Sequence, residues 1–281
     1  MGGIIVKKIL VFLFCLVGLC TEVFAEEKKH SLQVAYEMSN YKYREPGLMS
    51  VKARPKYGVS AAYTLRGLLS QDFAGDDHSF ATIDFRYMTG DADYYGGIQD
   101  GTGNVTPFTY KGIEDYYFEA GLRMGAVYSF ADNWQVWPYF GFGWRKLVNH
   151  LEESGETGYL RESTYWYLPI GANLKYINND WEFALNGEFD YFLKGKQYSG
   201  PVSGMEGNNN DQGEGYGVRV SLKAEKKFEK VGVFVEPFWR YWHIQNSSLA
   251  WKEITGTGWA MGVIEPKNYT HEYGLKIGVS F

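Results

Sequence analysis

The stretch that most constrains this chain is Tyr116 to Trp144, YYFEAGLRMGAVYSFADNWQVWPYFGFGW. Phe118, Ala120, Leu122, Met124, Ala126, Tyr128 and Phe130 fall on every second position, with Glu119, Gly121, Arg123, Gly125 and Ser129 between them. A period of two makes a β-strand with one apolar and one polar face. After Ala131-Asp132-Asn133 the pattern returns, with Trp134, Val136, Pro138, Phe140, Phe142 and Trp144 on one side and Trp137, Tyr139, Gly141, Gly143 and Arg145 on the other. Phe118 and Tyr128 are ten residues apart, as are Trp134 and Trp144. Ten residues at about 3.3 Å rise, tilted by about 40°, climb roughly 25 Å.

The same spacing recurs from Trp166 to Tyr176 and from Trp181 to Tyr191. Strands whose apolar face is about 25 Å tall and ends in aromatic rings resemble the staves of a bacterial outer-membrane β-barrel. The resemblance implies an all-β, closed antiparallel transmembrane barrel. It places Phe118, Tyr128, Trp134, Trp144, Trp166, Tyr176, Trp181 and Tyr191 at the two headgroup levels, against outer-membrane lipid and lipopolysaccharide.

The N-terminus carries Lys7 and Lys8, an apolar run from Ile9 to Cys20, and Val23-Phe24-Ala25 before charged residues begin at Glu26. That order is a cleavable secretory signal over residues 1 to 25, leaving a barrel of residues 26 to 281. The run is too short to span a membrane as a helix, and Leu19 before Cys20 is a poor lipid-attachment context. Both cysteines, Cys15 and Cys20, fall in this segment, so disulfides and thiolate metal sites are excluded from the rest. The segment holds two lysines and one glutamate, so the net charge changes from −5 to −6 without it. Mild acidity argues against a nucleic-acid partner.

Extending the alternation gives ten expected strands. They run over Ser31 to Tyr43, Ser50 to Arg66, Phe80 to Met88, the two arms of the central hairpin, Ser163 to Ile177, Trp181 to Leu193, Tyr216 to Glu225, Val231 to Ile244 and Thr270 to Phe281. Ten is even, as closure with both termini on one side requires; eight and twelve are the neighbouring counts. Short turns alternate with long links at Thr89 to Glu114, Asn149 to Glu162, Gly195 to Gly215 and Gln245 to Asn268, which implies short turns in the periplasm and long loops outside. The third of these long links, Gly195 to Gly215, with Gly207-Asn208-Asn209-Asn210-Asp211, is expected to be a mobile polar loop. Pro138, Pro169 and Pro237 fall within strands and remove ladder donors, so bulges are expected there, with strand breaks as the alternative.

The last strand alternates Tyr273, Leu275, Ile277, Val279 and Phe281. Its aromatic end is similar to the C-terminal signature of outer-membrane barrels, and the resemblance implies recognition by the barrel-assembly machinery.

The inward positions hold charges of both signs: Asp84 and Arg86, Glu119 and Arg123, Arg145, Lys175, Glu188 and Asp190, Arg219 and Lys223, Glu236 and Arg240, Glu272 and Lys276. Unpaired burial would cost several kcal/mol each, so they should pair across the lumen. They form either a polar plug or the lining of a gated, weakly selective pore. Lys52, Arg54 and Lys56 share one face and are expected to seal the lumen against Glu37.

The strand count and long outer loops are similar to the omptin proteases, whose activity rests on a pair of aspartates and an Asp-His pair at the outer rim. Here Asp91 and Asp93 could supply the first pair. However, the link from Gly195 to Gly215 contains no histidine, and His150, His243 and His271 stand in no Asp-x-His sequence. The resemblance therefore covers architecture and not catalysis. His78-Ser79 points to opposite faces and makes a poor hydrolase dyad. Asp91 and Asp93 alone are a weak calcium set, and no cofactor or metal is expected. Trp251 and Trp259 in the last long link could anchor a partner or fold over the mouth. The expected function is a structural or adhesin-like surface protein with a plugged lumen, not an enzyme; the alternative is a narrow porin-like channel, with a hydrolase behind both.

Overall fold

In the computed structural model, residues 30–47, 49–53, 55–67, 79–99, 105–155 and 158–281 are described. The signal segment, Arg54, His78 and most of the link after Gly67 lie outside them. The strands are β1 (His30–Glu45), β2 (Met49–Ala53), β3 (Lys56–Arg66), β4 (Ser79–Gln99), β5 (Val105–Ala126), β6 (Tyr128–Ala131), β7 (Trp134–His150), β8 (Leu160–Asn178), β9 (Trp181–Ser199), β10 (Asn208–Gln212), β11 (Gly215–Lys227), β12 (Gly232–Ile244), β13 (Ala250–Ile254), β14 (Trp259–Val263) and β15 (Asn268–Ser280). Each stave pairs antiparallel with its neighbour, and β15 pairs with both β12 and β1, which closes the sheet. Ten staves make the barrel, two of them in pieces: β2 with β3, and β5 with β6.

Around the middle of the barrel the alternation is as the sequence implies, with large apolar side chains such as Ile83, Phe140, Ile170 and Leu185 exposed on the outside and charges within. Above that band the polarity reverses while the alternation continues. Met88, Ala92, Ile113, Tyr117, Leu147, Tyr41, Tyr43 and Val51 point inward as a buried apolar cluster, and Asp91 and Glu114 point out. The strands thus form a tube that stands beyond the lipid band and packs like an ordinary water-facing sheet. Most of the expected link from Thr89 to Glu114 is therefore strand, since β4 and β5 pair all the way to Gln99 and Val105.

The expected mobile loop is also corrected. Asn208 to Gln212 form β10, added to the edge of β9, and Asn208, Asn210 and Gln212 are buried. Asn210 Nδ2 donates to Ser247 Oγ at 3.1 Å and to the Val263 carbonyl at 3.1 Å, which satisfies an amide that sequence alone would leave to water.

The second stave breaks at Pro55, and the break changes which face each side points to. Val51 is inward on β2, whereas even-numbered Lys56 is inward on β3. Lys52 therefore faces out, its Nζ 4.9 Å over the Tyr95 ring, and Lys56 pairs with Asp115 rather than with Glu37. Neither Lys52 nor Lys56 thus makes the expected seal against Glu37, and Arg54 lies outside the described residues.

The three prolines behave differently. Opposite Pro138 the stave splits at Val127, between β5 and β6. Pro169 interrupts pairing to β7, and a bulge at Leu193 follows on β9, so that Gly195, Gln197 and Ser199 take the inward positions above it. At Pro237 two ladder pairs are missing but the register is unchanged.

Candidate functional site

Register sets the interior chemistry. Arg86, Glu119 and Arg145 occupy directly opposed inward positions on β4, β5 and β7, so alternating signs meet side by side. Arg86 donates from Nε to Glu37 at 2.5 Å and from Nη1 and Nη2 to Glu272 at 3.1 and 2.9 Å. Tyr117 and Ser39 hydroxyls also donate to Glu272, at 2.5 and 2.7 Å. From the far wall, Arg219 donates to Glu119 at 3.1 Å, to Asp190 at 2.6 Å and to the Tyr167 hydroxyl at 2.8 Å. Arg123 takes Glu188 bidentately at 2.6 and 3.0 Å and also meets Asp84, while the Tyr139 hydroxyl donates to Glu188 at 3.0 Å. Arg145 Nε lies 3.3 Å from Glu119, and Lys276 donates to Glu236 at 3.3 Å. Arg240 is held most loosely, its Nη1 3.9 Å from both Glu119 and Glu272. Twelve of the fourteen inward charges expected from the alternation thus have a partner of opposite sign within 4 Å in this central region, and the other two, Lys175 and Lys223, meet Glu182 nearer the short-turn end.

Two further clusters contain charges that the alternation did not mark: Glu182 and Lys227 in the first, and Glu45, Arg161 and Glu265 in the second. Near the short-turn end, Glu182 is shared by Lys175, Lys223 and Lys227 at 3.2, 3.2 and 2.8 Å. In the outer tube, Arg161 Nη2 donates to Glu45 at 2.9 Å and also to Glu265, and the Tyr43 hydroxyl donates to the same two carboxylates at 2.7 and 3.3 Å. Burial, with the Glu45 charge beside it, holds the Glu265 carboxyl above its ordinary range despite Arg161. Arg161 sits just before the strand start that the apolar alternation marks, and Glu265 lies in a link with no period, so neither had a local signal.

Space inside the barrel is unevenly distributed. A cavity of about 250 Å³ lies between the central charge layer and the short-turn end, lined by Arg240, Arg123, Lys276, Trp137 and Asn186 among others. Above the layer, the outer tube is packed by the Tyr41–Tyr117 cluster and by Tyr165, Tyr167, Phe192, Trp242 and Ile244.

On the outside, Trp144 opposes Trp166 at one level and Trp134 opposes Tyr176 at the other, with ring centroids of the latter pair 4.9 Å apart. Phe118 packs on Tyr87 at 4.8 Å, Trp181 stacks on Phe183 at 5.7 Å, and Tyr128 and Tyr191 are exposed. His243 stacks on Tyr269 at 4.7 Å, and His271 lies 4.8 Å from Tyr241, within the same outer aromatic belt. His150 meets Glu152 at 2.6 Å. Asp91 opposes Glu114 on the outer wall, and Asp93 accepts the Gly112 N–H at 3.2 Å. These groups are spread over the outer wall and do not converge on a cleft. The β13–β14 hairpin projects beyond the barrel with Trp251 66% and Trp259 75% exposed. On the last strand, Tyr273 and Ile277 are exposed on the outer face, and Leu275, Val279 and Phe281 are half-buried.

A closed ten-stranded antiparallel barrel with an aromatic-rimmed apolar exterior and a charged interior has the fold of a bacterial outer-membrane β-barrel. The fold is omptin-like: outer membrane protease OmpT from Escherichia coli is similar with a TM-score of 0.67 at 11% identity, over 93% of this chain and 99% of that one. Lower similarity extends to the toluene transporter TbuX of Ralstonia pickettii (TM-score 0.37, 8% identity, 90% and 89% of the two chains) and to Ail, the attachment invasion locus protein of Yersinia pestis (0.33, 9%, 90% and 99%). At these identities the likeness is one of fold alone. No protein-family model matches the chain, and no curated protein sequence does.

Proposed function

We propose that this chain is exported to the bacterial outer membrane, where it forms a sealed barrel that presents an interaction surface to the outside, as an adhesin-like or structural protein rather than an enzyme. The observation that carries this is the central layer: Arg86, Glu119, Arg145 and Arg219 bridge the lumen with side chains no more than 10% exposed, and the tube above is packed with aromatic residues. A solute would have to break several buried charge pairs, each worth a few kcal/mol, to pass. Outer-leaflet lipid and lipopolysaccharide fit the outer belt, where Lys42, Lys52 and His271 lie side by side on neighbouring strands. Tyr273 to Phe281 suits recognition by the barrel-assembly machinery.

The test is single-channel conductance of the refolded chain in a planar bilayer, beside a variant with Arg123→Ala and Arg240→Ala. Silence in the parent supports the sealed barrel. Reproducible steps in the parent that change with the variant would replace it with a narrow channel, a reading favoured by the 250 Å³ cavity between the central charge layer and the short-turn end.

A further inference from the structure

The lumen charges are sorted by depth as well as by sign. Arg123, Lys175, Lys223, Arg240 and Lys276 line the cavity with 10 to 18% of each side chain exposed. The carboxylates Glu37, Glu119, Glu182, Glu188 and Glu272 are withdrawn behind them at 7% or less. Asp84 at 30% and Glu236 at 14% do reach the space, and each is paired, with Arg123 and with Lys276; of the lining cations Arg86, at 4%, is withdrawn like the acids. Long Lys and Arg stems extend inward from the wall, whereas most of the acids stay near it, so the cavity lining, with seven Lys and Arg against five Asp and Glu, carries an excess of positive charge.

One of these cations is uncommitted. Arg86, Arg123 and Arg219 each make three or more close contacts to wall oxygens, but Arg240 Nη1 lies 3.9 Å from both Glu119 and Glu272, beyond hydrogen-bond reach, and the guanidinium carbon lies 4.5 Å from the Phe238 ring centroid. A planar guanidinium left with unused donors at a polar cavity suits a carboxylate or phosphate oxygen pair. The opening toward the short-turn end matches an approach from the periplasmic side, since the outer tube is packed shut.

We infer that the lumen cavity is a binding site for one small oxyanion of the phosphate or carboxylate class, anchored by the Arg240 guanidinium, with Lys276 and Arg123 lining the same cavity. The site goes beyond the surface role proposed above, and a sealed barrel does not require it.

The experiment is isothermal titration of the full refolded chain in neutral detergent with inorganic phosphate and, separately, acetate; tetramethylammonium is the control for nonspecific ionic effects. One saturable site per chain is expected for phosphate or acetate and none for tetramethylammonium; which of the two anions binds more tightly assigns the ligand class. Arg240→Gln should weaken binding at least tenfold, Lys276→Gln by less, and Lys267→Gln on the outer surface should leave it unchanged. Heat-modifiable gel mobility reports folding, and if Arg240→Gln fails to fold, Arg240→Lys and Lys276→Gln carry the comparison. No saturable anion binding, or binding insensitive to the lumen substitutions, overturns the site. Conductance of the same preparation separates this outcome from failure of the sealed-barrel proposal.

Discussion

Arg219 and Glu119 stand 100 residues apart in sequence and face each other across the barrel, with Nη1 donating to Oε2 at 3.1 Å. Glu119 is also within 4 Å of Arg86, Arg145 and Arg240, so one carboxylate offsets four guanidinium groups. Glu119→Gln leaves that group short of a charge inside a low-dielectric lumen, and the folded barrel should lose about 3–5 kcal/mol. Urea unfolding in detergent, followed by tryptophan fluorescence, measures the loss. A change below about 1 kcal/mol would mean that water already screens the layer.

Gly143 faces inward beside Tyr167, and a Cβ there would lie 2.2 Å from the Tyr167 ring. Gly143→Ala should displace the ring and break its hydroxyl from Arg219, with a cost of about 1–3 kcal/mol for overpacking. A Tyr167→Leu background, which has no ring to displace, should recover most of that cost in the double variant.

The Glu45–Arg161–Glu265 cluster ties the link after β14 to the barrel wall, and the Tyr43 hydroxyl bonds both carboxylates. Since the folded Glu265 carboxyl is held above its ordinary value of 4.5, the folded form binds the proton more tightly than the unfolded one. Stability from this group is then fully present below about pH 4.5 and is lost as pH rises through the higher folded value. Hydrogen exchange of residues 245–267 should therefore quicken as pH rises from that point, after correction for the intrinsic rate. Glu265→Gln should flatten the dependence; an equal slope in both proteins would assign it elsewhere.

Trp251 pairs with Gly262 across the β13–β14 hairpin, and Trp259 pairs with Ile254 next to its turn. Both are exposed enough that Trp251→Ala and Trp259→Ala should change unfolding by less than about 0.5 kcal/mol. Under the surface-interaction proposal the same substitutions should weaken adhesion of cells displaying the barrel to a host-cell monolayer. Unchanged adhesion would remove the hairpin from that role.

Much of the barrel was legible because the lipid solvent imposes a strict local rule. Ile83, Phe140, Ile170 and Leu185 must be apolar, and alternate residues such as Asp84, Gly141 and Asn186 need not be, so the period of two stands out. The outer tube hid because Met88, Ala92 and Ile113 are apolar on the opposite face, where water rather than lipid surrounds the sheet. Read with one rule throughout, those residues end a strand early. Similarly, Lys52 and Lys56 look like one row until Pro55 breaks the stave.

From sequence alone came the membrane-spanning strands, their inner and outer faces and the inward charges of the central layer, since each depends only on a residue's neighbours along one strand. Which charges meet, that Arg240 is left loose, and that Glu265 closes on Arg161 were decided by the closed sheet. Closure brings walls from distant parts of the chain within hydrogen-bond reach, and a bulge at Leu193 or a break at Pro55 shifts which side chains arrive there.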